Sequence, residues 1–128
     1  MSFLIDTHAF LWFVFDDARL SPRAHELLCD PNETKVLSVA SLWEIAVKAS
    51  ISKLELGMTY QTFLDRCITH SEIELLPAEL AHLVEYTRLP MHHRDPFDRL
   101  LIAQCQTENW PIVTMDPRFR DYELKVLW

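Results

Sequence analysis

The stretch HHRDPFDRLLIAQ, residues 92–104, decides the fold because two aspartates open a strongly apolar segment. Asp95 followed by Pro96 is typical of a helix start, in which the aspartate caps the helix and the proline takes the first helical position. Asp98 then falls in the first turn, where the helix dipole favours a carboxylate. The pattern predicts a buried helix from Pro96 to about Thr107. It leaves open whether the aspartates only start this helix or also form half of a catalytic site.

Short apolar segments that suit strands alternate with helical segments on both sides of this stretch. Five strands are predicted: SFLI, KVLSV, IELL, PIVT and the terminal LKVLW. Helices are predicted over residues 8–15, after the Ser21 cap, from the S-x-x-E capping box of Ser41 and Glu44, over residues 59–69, and from Pro77. The alternation predicts one α/β domain over residues 1–128, with a mostly parallel sheet of about four to five strands flanked by helices.

The composition excludes several classes of protein. An apolar fraction of 49% with 24% charged residues is ordinary for a globular domain and argues against disorder. The net charge of −7 argues against a protein that binds nucleic acid tightly and nonspecifically. The single glycine, Gly57, excludes the glycine-rich loops that cradle phosphates in nucleotide-binding folds.

Two further features bear on location. Cys29, Cys67 and Cys105 are odd in number and form no CxxC pair, so we expect reduced thiols in a cytoplasmic protein. The apolar run AFLWFVF, residues 9–15, is too short to cross a bilayer and lacks the flanks of a signal peptide. No membrane association is therefore expected.

Acidic residues stand where the predicted parallel strands end. Asp6 directly follows the first strand, Asp116 follows PIVT, and Glu44 is predicted in the first turn of the helix after the second strand. Asp95 and Asp98 open the helix that precedes PIVT. Each acid also has a purely structural interpretation, as a helix cap or a turn residue. This interpretation is weakest for Asp98, because Asp95 already supplies the cap. Since sites in such sheets form beyond the carboxyl ends of the strands, the five acids are predicted to share one site.

A shared acidic site needs protons or cations to neutralise it. Two carboxylates about 4 Å apart repel by about 4 kcal/mol at an effective dielectric constant of about 20. Oxygen ligands without a histidine or cysteine set suit Mg²⁺ or Mn²⁺. Such an ion binds a phosphodiester, activates water and stabilises the leaving oxygen. The acids therefore predict a divalent-metal site for phosphoryl chemistry.

Four motifs now stand in a recognisable order: LIDTHAFLW, SVASLWEIAVK, HHRDPFDRLLIAQ and IVTMDPRF. Together they resemble the PIN-domain ribonucleases, and more closely the VapC-type toxins of bacterial and archaeal type II toxin–antitoxin modules. The resemblance runs from about Leu4 to Trp128. It implies a PIN-like three-layer sandwich and endonucleolytic cleavage of RNA that depends on Mg²⁺ or Mn²⁺. It also implies a homodimer, inhibition by a cognate antitoxin, and larger toxin–antitoxin assemblies.

The resemblance assigns roles to the acids. The family's acidic quartet maps onto Asp6, Glu44, Asp98 and Asp116 as metal ligands and catalytic residues. Asp95 belongs to the longer D-P-F-D-R form of the third motif and is either a supporting acid or a cap. The quartet is intact, so nothing suggests an inactive enzyme.

Hydroxyl and basic residues flank these acids. Thr7 and Thr114 bind a carboxylate, a metal-bound water or a phosphate, or else satisfy only local backbone. Four arginines supply positive charge where RNA phosphates require it, or pair with surface acids instead: Arg94, Arg99, Arg118 and Arg120. His92 and His93 are not expected to ligate metal, because adjacent loop residues rarely converge on one ion.

Aromatic residues at two motifs are expected in the core or at a subunit interface rather than as base-stacking platforms: Trp12, Phe13, Phe15 and Trp43. The AFLWFVF helix is the best candidate for part of a dimer or antitoxin contact, because so small a domain struggles to cover all its faces.

Two other functions compete with this interpretation. A haloacid-dehalogenase-like phosphatase requires D-x-D after the first strand, and here His8 stands where the second aspartate belongs. A non-catalytic PIN-like module that binds RNA or protein keeps the fold without turnover, and the intact quartet argues against it.

Overall fold

Five parallel strands form the central sheet of the computed structural model, which describes all residues from 1 to 128. They are β1 (Ser2–Ile5), β2 (Thr34–Ser38), β3 (Glu74–Leu76), β4 (Ile112–Val113) and β5 (Val126–Leu127). The spatial order is β3-β2-β1-β4-β5, so β1 lies at the centre. Every neighbouring pair is parallel. The predicted sheet of four to five strands is confirmed, and all five strands run the same way.

Helices connect the strands. They are α1 (Thr7–Val14), α2 (Pro22–Cys29), α3 (Val39–Ser50), α4 (Tyr60–Leu64), α5 (Leu80–Arg88) and α6 (Pro96–Glu108). A π-helical segment, Asp65–Thr69, continues α4, and a 3-10 helix, Pro117–Tyr122, follows β4. None of the helices is both long and apolar enough to cross a bilayer.

The sheet is buried on both faces, because alternate residues of a strand point to opposite sides. Phe3 and Ile5 of β1 pack with α1, α2, α3 and α4 in one apolar cluster. Leu4 of the same strand packs with α6 and the 3-10 helix in a second cluster on the other face. This burial explains the near-continuous apolar letters of the strands. The three-layer sandwich is confirmed.

Two helices begin at different residues from those predicted. The helix predicted from Ser41 begins at Val39, because β2 runs into it without a loop and Ser38 Oγ accepts the Ala40 N–H at 3.1 Å. The capping box of Ser41 and Glu44 is therefore wrong, and Glu44 lies in the second turn of α3. The helix predicted from Pro77 begins only at Leu80.

The aromatic residues divide between core and surface. Trp12 is buried in the first cluster, whereas Phe15 and Trp43 are exposed within the single chain. The Trp43 indole is 62% exposed and packs edge-on against Phe97 at the start of α6, with ring centres 5.0 Å apart. Trp12 therefore takes the core position, whereas Trp43 does not, and its alternative position at a subunit interface stays a prediction.

Candidate active site

Asp6 lies at the carboxyl end of the central strand and caps α1. Its Oδ1 accepts the Ala9 N–H at 2.7 Å, and its Oδ2 accepts the Thr114 hydroxyl at 2.5 Å. Burial raises the pKa of Asp6, and these two hydrogen bonds oppose that effect. The carboxylate is thus held rigidly between β1 and the end of β4.

Glu44 projects from the second turn of α3 into the same region and is 3% exposed. Its Oε1 accepts the Thr7 hydroxyl at 2.8 Å, and its Oε2 lies 2.7 Å from Lys48 Nζ. The Thr7 hydroxyl also lies 2.9 Å from Ser41 Oγ. Ser41 therefore acts through Thr7 on the glutamate rather than as a helix cap.

Asp98 and Asp116 both lie close to the side chain of His93. Asp98 Oδ2 lies 3.1 Å and Asp116 Oδ2 lies 3.2 Å from His93 Nε2. One potential ligand atom from each of the three residues falls within 4.8 Å of the others. Asp98 comes from the first turn of α6, and Asp116 caps the 3-10 helix after β4.

Asp98 lies close enough to the other four acids for their charges to affect its pKa. Burial, followed by the negative charges of four acids, raises the pKa of Asp98 to about 8 from its ordinary value of 3.8. These four acids are Asp95, Glu44, Asp6 and Asp116. Burial also raises the pKa of Asp116, but hydrogen bonds from Arg118 and His93 outweigh it, so that pKa lies below its ordinary value. Neighbouring carboxyl groups with opposed pKa shifts are typical of functional sites.

Asp95 resolves the question that the DPFD sequence raises. Its Oδ1 accepts the Asp98 N–H at 3.0 Å and so caps α6. Asp98, in the first turn, is left free to face the cluster. Asp95 adds negative charge to the site through space, and its carboxylate starts the helix that carries Asp98.

An open cleft of about 430 Å³ gives access to this cluster. Its lining is entirely polar: His8, Glu44, Lys48, His92, His93, Arg94, Asp95, Asp98 and Arg118. Basic side chains thus surround the acids at the point where solvent enters. This mixture suits an anionic ligand that approaches a cation held by carboxylates.

The predicted substrate-binding residues fall into different positions. Thr7 and Thr114 are buried, and each donates its hydroxyl to a carboxylate, which is one of the partners predicted for them; a contact with substrate stays a prediction. Arg94 is exposed in the cleft lining. Arg118 also lines the cleft, and its guanidinium bonds both oxygens of Asp116, at 3.1 and 2.9 Å. Arg120 is exposed outside the cleft lining.

Arg99 is not a substrate-binding residue. Its side chain is 6% exposed and lies over the Tyr86 ring, 5.0 Å from the ring centre. The guanidinium donates to the carbonyl oxygens of Pro90 and His93, at 3.0 and 3.2 Å. Arg99 therefore ties the loop that carries His93 to α6, and the prediction that it contacts phosphate is wrong.

Two residues of the site were missed. Lys48 stands four residues after Glu44, a spacing that predicts an ion pair on a helix face. His93 was set aside because adjacent histidines rarely bind one ion, and its partner Asp116 lies 23 residues away, beyond the reach of local patterns.

The donor set fits a hard divalent cation. Four of the clustered acids offer oxygen atoms, and the strongly raised pKa of Asp98 indicates a shortage of positive charge at that point. Lys48 and Arg118 each neutralise one acid, which leaves the Asp98 side uncompensated. Carboxylate oxygens in this number are the ligands that Mg²⁺ and Mn²⁺ prefer.

Comparisons with known proteins agree with this geometry. A curated protein named Ribonuclease VapC22, from Mycobacterium tuberculosis, is 28% identical over 121 residues, which is 93% of this chain and 90% of that protein. The crystal structure of VapBC2 from Rickettsia felis bound to a promoter DNA fragment superposes with a TM-score of 0.71 at 20% identity, covering 98% of this chain and 97% of that chain. FitAcB from Neisseria gonorrhoeae superposes with a TM-score of 0.67 at 16% identity, covering 98% and 96%. The family model described as PIN domain matches residues 3–125, so the chain belongs to the PIN domain family.

Proposed function

We propose that this chain is a divalent-metal-dependent endoribonuclease and the toxin of a toxin–antitoxin pair. The observation that carries the proposal is the gathering of five acids at one edge of the sheet, where burial and the charges of the other four acids raise the pKa of Asp98 to about 8. Membership of the PIN domain family and the likeness to a protein named a ribonuclease support RNA as the substrate.

Asp6, Glu44, Asp98 and Asp116 would hold Mg²⁺ or Mn²⁺. When bound, the ion supplies Lewis acidity toward a phosphodiester and lowers the pKa of water. The chain itself fixes the ligands: Thr114 orients Asp6, Thr7 orients Glu44, and Asp95 caps the helix of Asp98. These interactions remove most of the rotational freedom of the carboxylates before substrate arrives, so little reorganisation is needed.

RNA would lie along the polar cleft. Arg94 and Arg118 stand at its lining, where each is exposed enough to meet a phosphate. Arg118 pairs with Asp116 in the metal-free chain, and a phosphate would compete with that carboxylate for the guanidinium. The net charge of −7 predicts that RNA binds weakly unless cations neutralise the acidic centre.

A cognate antitoxin and a second copy of the chain are the proposed partners. Similar structures are described as VapBC2 from Rickettsia felis and a toxin–antitoxin complex from Klebsiella pneumoniae. The apolar helix α1, which ends beside the exposed Phe15, is the surface proposed for one of these contacts. Three free cysteines support action in the reducing cytoplasm.

Sequencing of RNA ends after brief induced expression tests the proposal. The wild-type chain should create new internal ends within minutes, and Glu44→Gln should not. Glu26→Gln, an exposed acid on α2, is the matched control and should cleave as the wild type does. Attack by water leaves one monophosphate and one hydroxyl end, whereas attack by the neighbouring 2′-hydroxyl leaves a cyclic phosphate. Cyclic phosphate ends, or equal cleavage by Glu44→Gln, would contradict the proposed chemistry.

A further inference from the structure

We infer that His93 is a positioning residue that donates its Nε2–H to Asp116, lies against the carboxylate of Asp98 and does not ligate the metal. The inference deepens the proposed function and rests on it. The sequence predicts that His93 does not ligate metal, but distance alone makes it look like a third ligand, because its Nε2 lies within 4.8 Å of oxygen atoms from both acids.

The hydrogen bond at the other ring nitrogen decides between donor and ligand. The backbone N–H of Asp95 donates to His93 Nδ1 at 3.1 Å, so Nδ1 presents a lone pair. The ring proton therefore resides on Nε2, which faces Asp98 Oδ2 at 3.1 Å and Asp116 Oδ2 at 3.2 Å. A nitrogen that carries this proton has no lone pair for a cation.

The surroundings hold the ring in this orientation. His93 is 3% exposed, and its ring packs edge-on against Phe119 with ring centres 5.9 Å apart. Its backbone N–H donates to the Tyr122 hydroxyl at 2.7 Å, and its carbonyl accepts from Arg99. To ligate through Nε2, the ring would have to carry its proton on Nδ1, opposite the Asp95 N–H. Two donors would then face each other, and a backbone N–H would lose its partner.

The donated proton explains how two acids from separate elements keep a ligand spacing. Asp98 belongs to α6 and Asp116 to the 3-10 helix after β4, and their negative charges repel. His93 Nε2–H donates to Asp116 Oδ2, and the same nitrogen lies 3.1 Å from Asp98 Oδ2, so one ring holds both carboxylates at one point. Arg118 approaches Asp116 as well, whereas His93 is the one basic side chain within ion-pair distance of Asp98. Outer partners of this kind commonly change metal affinity by about 10-fold to 100-fold.

The tautomer is measured directly on the wild-type protein. Histidine labelled with nitrogen-15 is followed by long-range proton–nitrogen correlation in metal-free buffer and in saturating Mg²⁺. We expect the His93 ring to carry its proton on Nε2 in both conditions. Transfer of the proton to Nδ1 when Mg²⁺ is added would show that Nε2 has become a ligand and would overturn the inference.

Variants then test the function of the proton by calorimetric titration of RNA-free protein with Mn²⁺. His93→Phe keeps a ring against Phe119 without a donor and should weaken Mn²⁺ binding by about 10-fold or more. His93→Gln places an amide Nε2 the same number of bonds from the backbone and should restore most of the affinity. His70→Gln, at an exposed histidine outside the cleft lining, is the matched control and should bind as the wild type does.

The outcomes separate this inference from the proposed function. Equal Mn²⁺ affinity in the wild type and His93→Phe, with the wild type still cleaving RNA, overturns only the inference about His93. Equal losses in His93→Phe and His93→Gln also overturn it, since the ring rather than the proton would then matter. A wild type that neither binds Mn²⁺ nor cleaves RNA overturns both. If His93→Phe fails to fold, the tautomer measurement on the wild type decides.

Discussion

Replacing Asp98 by asparagine should stabilise the metal-free protein. Its side chain is 20% exposed, and burial with four nearby acids raises its pKa to about 8 from 3.8. Between these values the folded chain keeps a proton that the unfolded chain has released. Stability rises with pH only where the unfolded state binds more protons, so here the free energy of unfolding falls from about pH 4 to about pH 8.

The size of the effect follows from the pKa shift. One pKa unit corresponds to about 1.4 kcal/mol, and pH 7 lies about three units above the ordinary pKa of an aspartate. At pH 7 the shifted pKa of Asp98 therefore lowers the free energy of unfolding by up to about 4 kcal/mol. Asparagine removes this cost, keeps a polar side chain against His93 Nε2, and leaves the backbone N–H that Asp95 caps. For a domain of this size the gain corresponds to a rise of the melting temperature on the order of 10 °C.

Thermal and urea unfolding in chelator, from about pH 5 to about pH 8, measure this difference. The wild type should lose stability relative to Asp98→Asn as the pH rises, and the gap should close when Mg²⁺ is added. Asp121→Asn, an exposed aspartate on the 3-10 helix, is the matched control and should follow the wild type. Parallel pH profiles for the wild type and Asp98→Asn would refute a buried acidic cluster.

Three further predictions concern metal, packing and RNA. Mg²⁺ or Mn²⁺ should raise the melting temperature of the wild type by mass action but not that of Asp6→Asn, and an equal rise in both would place the ion elsewhere. Arg99→Ala should lower the free energy of unfolding by about 2–4 kcal/mol in urea titrations, because buried carbonyl oxygens lose their donor. A loss below about 0.5 kcal/mol would show that Arg99 does not stabilise the loop that carries His93. In the Asp98→Asn background, Arg94→Ala should weaken RNA binding in filter-binding assays. It should also reduce by about 1 the slope of log affinity against log salt concentration. Arg23→Ala, on the exposed face of α2, should leave that slope unchanged.

Local sequence signals predicted the starts of those helices whose capping residue directly precedes the helix. Ser21 with Pro22, and Asp95 with Pro96, start helices in the structure at the predicted residues, because each cap accepts a hydrogen bond from a residue three positions on. The start of α3 was missed because both Ser38 and Ser41 satisfy the local pattern. The end of β2, where Ser38 pairs with Leu76 of β3, decides between them.

The acids of the site were predictable because parallel strands deliver their carboxyl ends to one edge. The contacts around them were not, since they join residues far apart in sequence. Arg99 and His93 both depend on Tyr122, and Thr114 reaches Asp6 across 108 positions. A single sequence carries no local pattern for such pairs, so it predicts phosphate contact for Arg99 and does not predict the contact of His93 with Asp116.

Cleavage of an end-labelled RNA by the purified chain tests the central claim, a metal-dependent nuclease site built from the clustered acids, most directly. The wild type should cut in Mg²⁺ or Mn²⁺, stop when chelator is added, and resume when the ion is restored. Asp116→Asn should lose most of this cleavage while melting at least as cooperatively as the wild type. Cleavage that persists in chelator, or an Asp116→Asn variant that cuts at the wild-type rate, would contradict the account.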